Sequence, residues 1–116
     1  MAIKYFAVND QSNEVSGFPV FEYSETLSTP GAGNTIIAPD NVGDFDSIIC
    51  GLVITSGVGR VEYSLSSRSS IIAGSGVWRA WDSGNVSAST DDVLEPAQAI
   101  RAVNVSGTIK LEAILV

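Results

Sequence analysis

Apolar and polar positions alternate with a period of two along several short segments of this chain, and no window carries a sustained apolar stripe of helical period. Near the C-terminus this alternation predicts that Ile109, Leu111, Ala113 and Leu115 face a core. Turn residues separate the segments, so helix is expected in at most a turn or two. Strands are predicted over residues 3–8, 18–23, 35–38, 47–55, 60–66, 77–82, 85–88, 99–105 and 108–115.

Two of these segments resemble each other. Residues 52–63 and 102–113 each contain an apolar strand, a Ser-Gly pair, and a strand with a basic residue two places before an acidic one. Glycine supplies the positive φ of a tight turn, so Ser56–Gly57 and Ser106–Gly107 are predicted to be hairpin turns. The similarity fits either a structural duplication or the common composition of β-hairpins. About eight to ten short strands predict an all-β fold, a single antiparallel β-sandwich of jelly-roll or immunoglobulin-like type over residues 1–116.

Some predicted strands are apolar on both faces. Ile114 and Val116 place apolar groups on the side opposite the predicted core, and Ile49 and Val53 do the same in an earlier strand. Such strands need cover on both sides. Two interpretations are open: a neighbouring subunit covers the second face, or a long loop of the same chain does.

Composition bears on which partners are expected. The chain is 45% hydrophobic and 16% charged, which favours a folded core over disorder. Thirteen acidic residues against six basic ones give a net charge of −7, which disfavours nucleic acid as a partner. The start of the sequence lacks the pattern of a signal peptide, and no apolar run reaches the ~20 residues of a membrane span, so synthesis in a cytoplasm is expected.

Catalytic chemistry is not expected from this sequence. Histidine is absent, which removes the commonest general base, the Ser-His and Cys-His pairs and most zinc sites. The Gly-x-Gly triplets at residues 57–59 and 74–76 lie between strands and are predicted to be turns. Asp91 and Asp92 are adjacent, so they point apart on an extended chain and are predicted to lie in a solvated loop. The single cysteine, Cys50, is predicted to be a buried small hydrophobe.

Two further segments carry candidate binding chemistry. Residues 40–46 have enough side-chain oxygens for calcium but lack the spacing of an EF-hand loop, and Asx turns account for them adequately. We therefore predict no metal and no cofactor. Trp78 and Trp81 should point to opposite faces of a strand, one of them into the core. An exposed tryptophan beside Arg79 would suit sugar stacking or a protein interface, and packing is the alternative.

Four stretches resemble the small proteins that decorate or cement the capsids of tailed bacteriophages. They are residues 34–39, the segment around Ser56–Gly57, residues 78–86 and residues 99–107. The resemblance implies a β-sandwich on the outer face of a virion, bound to the major capsid protein and often trimeric, with no transferable functional residues. In that setting, residues 2–8 are expected to contact the shell by adding to a neighbour's sheet edge. The alternatives are a carbohydrate-binding or receptor-binding β-sandwich, or a tail or neck accessory protein.

Overall fold

The computed structural model describes residues 3–5, 21–38 and 47–115 and places them in eight strands and one short helix. All eight strands belong to one open sheet, in which the β1–β4 pair is parallel and the other pairs are antiparallel. The predicted all-β, antiparallel, single-domain class is confirmed. The elements are β1 (Ile3–Tyr5), β2 (Phe21–Leu27), β3 (Gly31–Ala32), β4 (Thr35–Ile37), β5 (Ile48–Ser64), α1 (Arg68–Ile72), β6 (Trp78–Ala80), β7 (Thr90–Leu94) and β8 (Ala99–Leu115).

Two strands of 17 residues, β5 and β8, pair along their whole lengths and organise the sheet. The first arm contains four segments in the order β2–β8–β5–β7. Its two central segments are residues 48–54 of β5 and residues 109–115 of β8, and β7 and β2 lie at its edges. The second arm has the strand order β1–β4–β8–β5–β6, and β3 pairs with β8 beside this path. Its two central segments are residues 59–64 of β5 and residues 99–104 of β8, which lie between β6 and β4.

The arms meet at Gly57 and Gly107, which pair across the β5–β8 ladder. Both glycines have positive φ, 81° and 75°. A side chain at Gly57 would collide with the carbonyl of Ser106, and one at Gly107 with the carbonyl of Ser56. The register shifts on both sides of this pair, so the two strands bend here and continue.

The predicted hairpin turns at Ser56–Gly57 and Ser106–Gly107 are therefore wrong, as is the turn at residues 57–59. Glycine with positive φ suits a bulge as well as a turn, and the distant pairing partner decides between them. The predicted strands 47–55 and 60–66 are parts of β5, and 99–105 and 108–115 are parts of β8. The two similar segments consequently lie antiparallel and side by side, each crossing the same bend.

Smaller differences concern the flanking elements. The loop predicted around Asp91 and Asp92 is strand β7, because it pairs with the edge of β5. The predicted strand 85–88 is reduced to one bridge between Val86 and Gly59. Ser67 caps α1 by accepting a hydrogen bond from the backbone N–H of Ser70, which begins a helical turn in a serine-rich segment. Strands β1 and β2 cover the described parts of the predicted segments 3–8 and 18–23.

One core joins the inner faces of the two arms. Its buried members come from both arms and from the segments that follow β6 and β7: Ile36, Ile48, Cys50, Leu52, Val61, Trp81, Leu94, Ala97, Ile100, Ala102, Ile109, Leu111 and Ala113. The alternation predicted for the last strand is confirmed for Ile109, Leu111 and Ala113, which are buried while Lys110 and Glu112 between them are exposed; the side chain of Leu115 lies outside the described part of the chain. A second cluster forms on the opposite face of the second arm, where Ile71 of α1 packs with Ile37 and Ala99.

Candidate interaction surfaces

The outer face of the first arm carries a row of exposed apolar side chains. Ile49 of β5 lies opposite Ile114 of β8 on one side and Val93 of β7 on the other. These three residues, here named the apolar row, are 39%, 41% and 62% exposed respectively. Val53 is also exposed on this face. The prediction of apolar groups on the solvent side of these strands is confirmed for Ile49, Val53 and Ile114, while Val116 lies outside the described residues.

Carboxylates border the apolar row. Glu22 of β2 pairs with Ile114. Two residues further along β5, on the same face, Asp91 and Glu112 lie on either side of Gly51. The carboxylate of Asp91 occupies the space that a side chain at Gly51 would need. The absence of a side chain at Gly51 therefore allows the Asp91 carboxylate to lie over β5 on this face.

The two carboxylates considered as an acid–base pair do point to opposite faces. Asp91 lies over Gly51 on the outer face, whereas Asp92 pairs with Cys50 and accepts a hydrogen bond from Ser83 Oγ at 3.2 Å. The structure therefore does not bring Asp91 and Asp92 together across a cleft. This follows from their adjacency on β7 and agrees with the prediction that successive residues diverge.

Cys50 is buried at the inner side of the first arm, as predicted, with 1% of its surface exposed. Burial raises the pKa of its thiol from 9.0 to about 12, and the negative charges of Asp92 and Asp91 add to this effect. A thiol with so high a pKa carries very little thiolate near neutral pH, so the side chain acts as a packing group.

The outer face of the second arm is built around Trp78 and Arg101. The guanidinium of Arg101 lies 4.2 Å from the centroid of the Trp78 ring, a cation–π contact across the sheet. Trp78 is half-buried and packs against the cluster that contains Ile71. Because Arg101 covers the indole ring, Trp78 is a poorer sugar platform than a free tryptophan. Its partner Arg101 is distant in sequence, so no local pattern predicted this pair.

Glu62 forms ion pairs with two arginines on this face. Its Oε1 accepts a hydrogen bond from Nε of Arg101 at 2.8 Å, and its Oε2 accepts one from Nε of Arg60 at 2.9 Å. Although burial alone would raise the pKa of the buried Glu62 carboxyl, the hydrogen bonds and charges of Arg60 and Arg101 outweigh it and lower the pKa. Glu62 is thus one carboxylate that pairs with two guanidinium groups, those of Arg60 and Arg101.

A cavity of about 250 Å³ opens beside Arg101 on the same face. Apolar side chains from β1, α1 and β6 line most of it, and Arg101 and Thr35 supply the polar part; the lining residues are Ile3, Thr35, Ile71, Ile72, Gly74, Gly76, Trp78 and Arg101. Its volume suits an apolar side chain better than an extended ligand. The prediction did not include α1, which forms one wall of this cavity.

Trp81 has a different environment from Trp78. It is almost fully buried in the main core, and its indole N–H donates to the carbonyl of Gly84 at 2.6 Å. The prediction that one tryptophan points into the core is confirmed by Trp81, while Trp78 is half-buried against the second cluster, which favours the packing alternative. Trp81 is therefore excluded as a stacking platform. The exposed Arg79 follows Trp78 on β6, so the two side chains point to opposite faces of that strand.

The N-terminal strand is used within its own chain. Residues 3–5 pair in parallel with Thr35–Ile37 of β4, so this part of the predicted shell-contacting segment already occupies a sheet edge. The remaining residues of that segment, 2 and 6–8, and the candidate calcium loop at residues 40–46 lie outside the described residues. Within residues 3–5, 21–38 and 47–115, no group of three metal-binding side chains occurs.

No family profile and no curated protein matches the chain. Of the helical residues that the structure describes, none belongs to a helix long and apolar enough to cross a membrane. The two surfaces above are thus the candidate functional features: the acidic face with its apolar row, and the Trp78–Arg101 face with its cavity.

Proposed function

We propose that this protein is a non-catalytic structural protein of a virion, which binds the outer surface of a tailed-phage capsid and stabilises the shell as a decoration or cement protein. The observation that carries this proposal is the apolar row on the outer face of the first arm. Burying apolar surface contributes about 25 cal/mol of favourable free energy per Å². A partner surface that covers this exposed row would therefore gain binding free energy.

The bordering carboxylates support a protein partner over nucleic acid or an acidic membrane surface. Glu22, Asp91 and Glu112 surround the row with negative charge, which repels phosphate. Charged residues around an apolar centre are typical of protein–protein interfaces, where the rim sets orientation and the centre contributes affinity. The major capsid protein is the partner that the sequence resemblance implies.

The proposal of no catalysis rests on the sequence and on the placement of the acidic pair. Histidine is absent from the chain, and Asp91 and Asp92 face opposite sides of β7. The protein is made in the host cytoplasm and ends on the capsid exterior as a homo-oligomer, with a trimer favoured because it suits a three-fold site on an icosahedral shell.

Empty capsids of the encoding phage, assembled without this protein, provide the test. Added protein should co-sediment with the capsids to a saturating ratio and raise the temperature at which they are disrupted. An unrelated acidic β-protein serves as the control for non-specific sticking. Failure to bind any capsid, together with measurable affinity for a glycan, would contradict the proposal and favour a carbohydrate-binding module.

A further inference from the structure

Strand β2 forms one edge of the first arm. Within residues 3–5, 21–38 and 47–115, it pairs with β8 and with no other strand. At seven residues β2 is longer than β1, β6 and β7, which also lie at edges of the sheet. It contains no proline and pairs with β8 without a register shift, so its outer edge is regular. Such an edge presents backbone N–H and C=O groups that can bind a strand of another chain.

The two faces of β2 differ in how far their side chains are already engaged. On the inner face, Tyr23 and Glu25 are half-buried and both contact Asn34 of the same chain. The side-chain amide of Asn34 donates to the Tyr23 hydroxyl at 2.9 Å, and its backbone N–H donates to both carboxylate oxygens of Glu25 at 3.1 Å. The outer-face side chains are exposed: Glu22, Ser24 and Thr26. The outer face therefore decides which strand can pair with this edge.

Opposite charges lie at the two ends of this outer face. Lys110 of β8 is exposed and pairs with Thr26 at one end, while Glu22 lies at the other end and pairs with Ile114. Four residues separate Thr26 from Glu22 along the strand, which corresponds to ~13 Å, so the two charges are far apart within one copy. The ion pairs between described residues include neither Lys110 nor Glu22.

We propose that two copies of this chain join their β2 strands edge to edge, antiparallel about a two-fold axis through Ser24. In this register Ser24 lies opposite Ser24 of the second copy, and Thr26 lies opposite Glu22 of the second copy. Lys110 then lies two strand spacings, ~10 Å, from that Glu22, and the two long side chains can meet over Thr26. The two-fold axis repeats this ion pair, so each copy supplies both charges.

The charges select this register over its neighbours. A two-fold axis through Tyr23 would place Glu22 opposite Ser24 of the second copy and next to Glu112, which pairs with Ser24. An axis through Glu25 would place the two Glu25 carboxylates directly opposite each other, and directly opposed like charges are destabilising. With Ser24 at the axis, the two Glu112 positions lie three strand spacings apart, ~14 Å, which exceeds the Debye length of ~8 Å at physiological ionic strength.

Edge pairing is compatible with the apolar row as a binding surface. The two-fold axis is perpendicular to the joined sheet, so the outer faces of both copies lie on the same side of it. Both apolar rows therefore remain exposed on that side, whereas face-to-face pairing of two copies would cover them. This inference thus deepens the proposed oligomer of the decoration protein, on which it rests for its role on a shell, where edge pairing would connect neighbouring trimers.

Disulfide trapping tests the register of the contact. Ser24→Cys should form a covalent dimer under mild oxidation, because directly opposed positions lie within disulfide distance. Thr26→Cys is the matched control: it is also exposed, but the two copies of this position lie ~13 Å apart. The native Cys50 is buried in both variants. No covalent dimer of Ser24→Cys, or equal cross-linking at both positions, would overturn the proposed register.

Light scattering without capsids tests the ion pair. Glu22→Lys and Lys110→Glu should each halve the mass of the wild type, whereas Glu95→Lys, an exposed charge reversal outside β2, should leave it unchanged. The double variant Glu22→Lys with Lys110→Glu should restore the wild-type mass, which also shows that the single variants are defective in pairing and not in folding.

Two results would overturn the edge contact: a wild type with the mass of one chain at every concentration, or a double variant that fails to restore pairing. The first would mean that another segment of this chain covers the edge of β2. Capsid binding is measured separately by co-sedimentation. Wild-type protein that binds capsids without pairing would overturn this inference alone, and paired protein without affinity for capsids would contradict the proposed function alone.

Discussion

Gly57 and Gly107 lie opposite each other in the middle of the two longest strands, and each accommodates the carbonyl of the serine that precedes the other. This reciprocal contact is where β5 and β8 bend and where the first arm meets the second. It depends on two glycines with positive φ that leave no room for a side chain. The separation of the two candidate surfaces therefore rests on this pair.

Alanine at Gly57 or Gly107 should destabilise the fold by more than conformational strain alone. Positive φ costs a non-glycine residue about 1–2 kcal/mol, and the collision with a serine carbonyl adds to that cost. Gly74→Ala is a matched control, since Gly74 has φ +84° but open space around it. Urea unfolding should show a larger loss for Gly57→Ala than for Gly74→Ala. Equal losses would mean that the close approach at the bend contributes nothing.

The sequence predicts the strands of this fold better than their connections. Period-two alternation located β4, β6 and most of β5 and β8 because it reflects which face is buried. It could not show that Ser56–Gly57 and Ser106–Gly107 face each other, because glycine with positive φ serves bulges and turns alike. Alternation also missed β7. Its two aspartates are typical of a loop, and its pairing with β5 is not visible in the local sequence.

The candidate surfaces were predictable to a similar degree. Ile49, Val53 and Ile114 were identified as apolar on the exposed side from alternation alone. Val93 joins them through the unpredicted strand β7. The contact of Trp78 with Arg101 could not be predicted, because it depends on β6 and β8 both flanking β5, which no local pattern encodes.

Cys50 should resist thiol reagents in the native state. Its pKa of about 12, compared with an ordinary 9.0, leaves about a thousandfold less thiolate at pH 8 than a free cysteine, and burial blocks access as well. Labelling with a chromogenic disulfide at pH 8 should be slow without denaturant and complete within minutes in urea. Rapid stoichiometric labelling of the folded protein would contradict the burial of Cys50.

Replacing Glu62 with glutamine should cost about 1–3 kcal/mol at pH 7, because two arginines lose their shared charged partner. The folded-state pKa of Glu62 is lowered, so its stabilising contribution is present above the ordinary value of 4.5 and is lost as pH falls through the folded value. The difference in unfolding free energy between wild type and Glu62→Gln should therefore shrink below pH 4. Glu112→Gln, on an exposed residue, is the control and should change little at either pH.

The two tryptophans should be distinguishable by fluorescence. Trp81 is buried in the core and Trp78 is half-buried under Arg101, so Trp78→Phe should leave a blue-shifted emission that acrylamide quenches weakly. Trp81→Phe should leave a more quenchable signal and cost more stability, since it also loses the hydrogen bond to Gly84. Equal quenching in both variants would contradict these environments.

The most direct test of the central claim compares one substitution at two exposed valines. Val93 lies in the apolar row, while Val105 lies next to the bend and outside that row, and both are exposed. Binding of Val93→Glu and Val105→Glu to empty capsids is measured by co-sedimentation over a range of concentrations. Val93→Glu should weaken binding at least tenfold, whereas Val105→Glu should bind like the wild type. Wild-type binding by Val93→Glu would contradict the role of the apolar row.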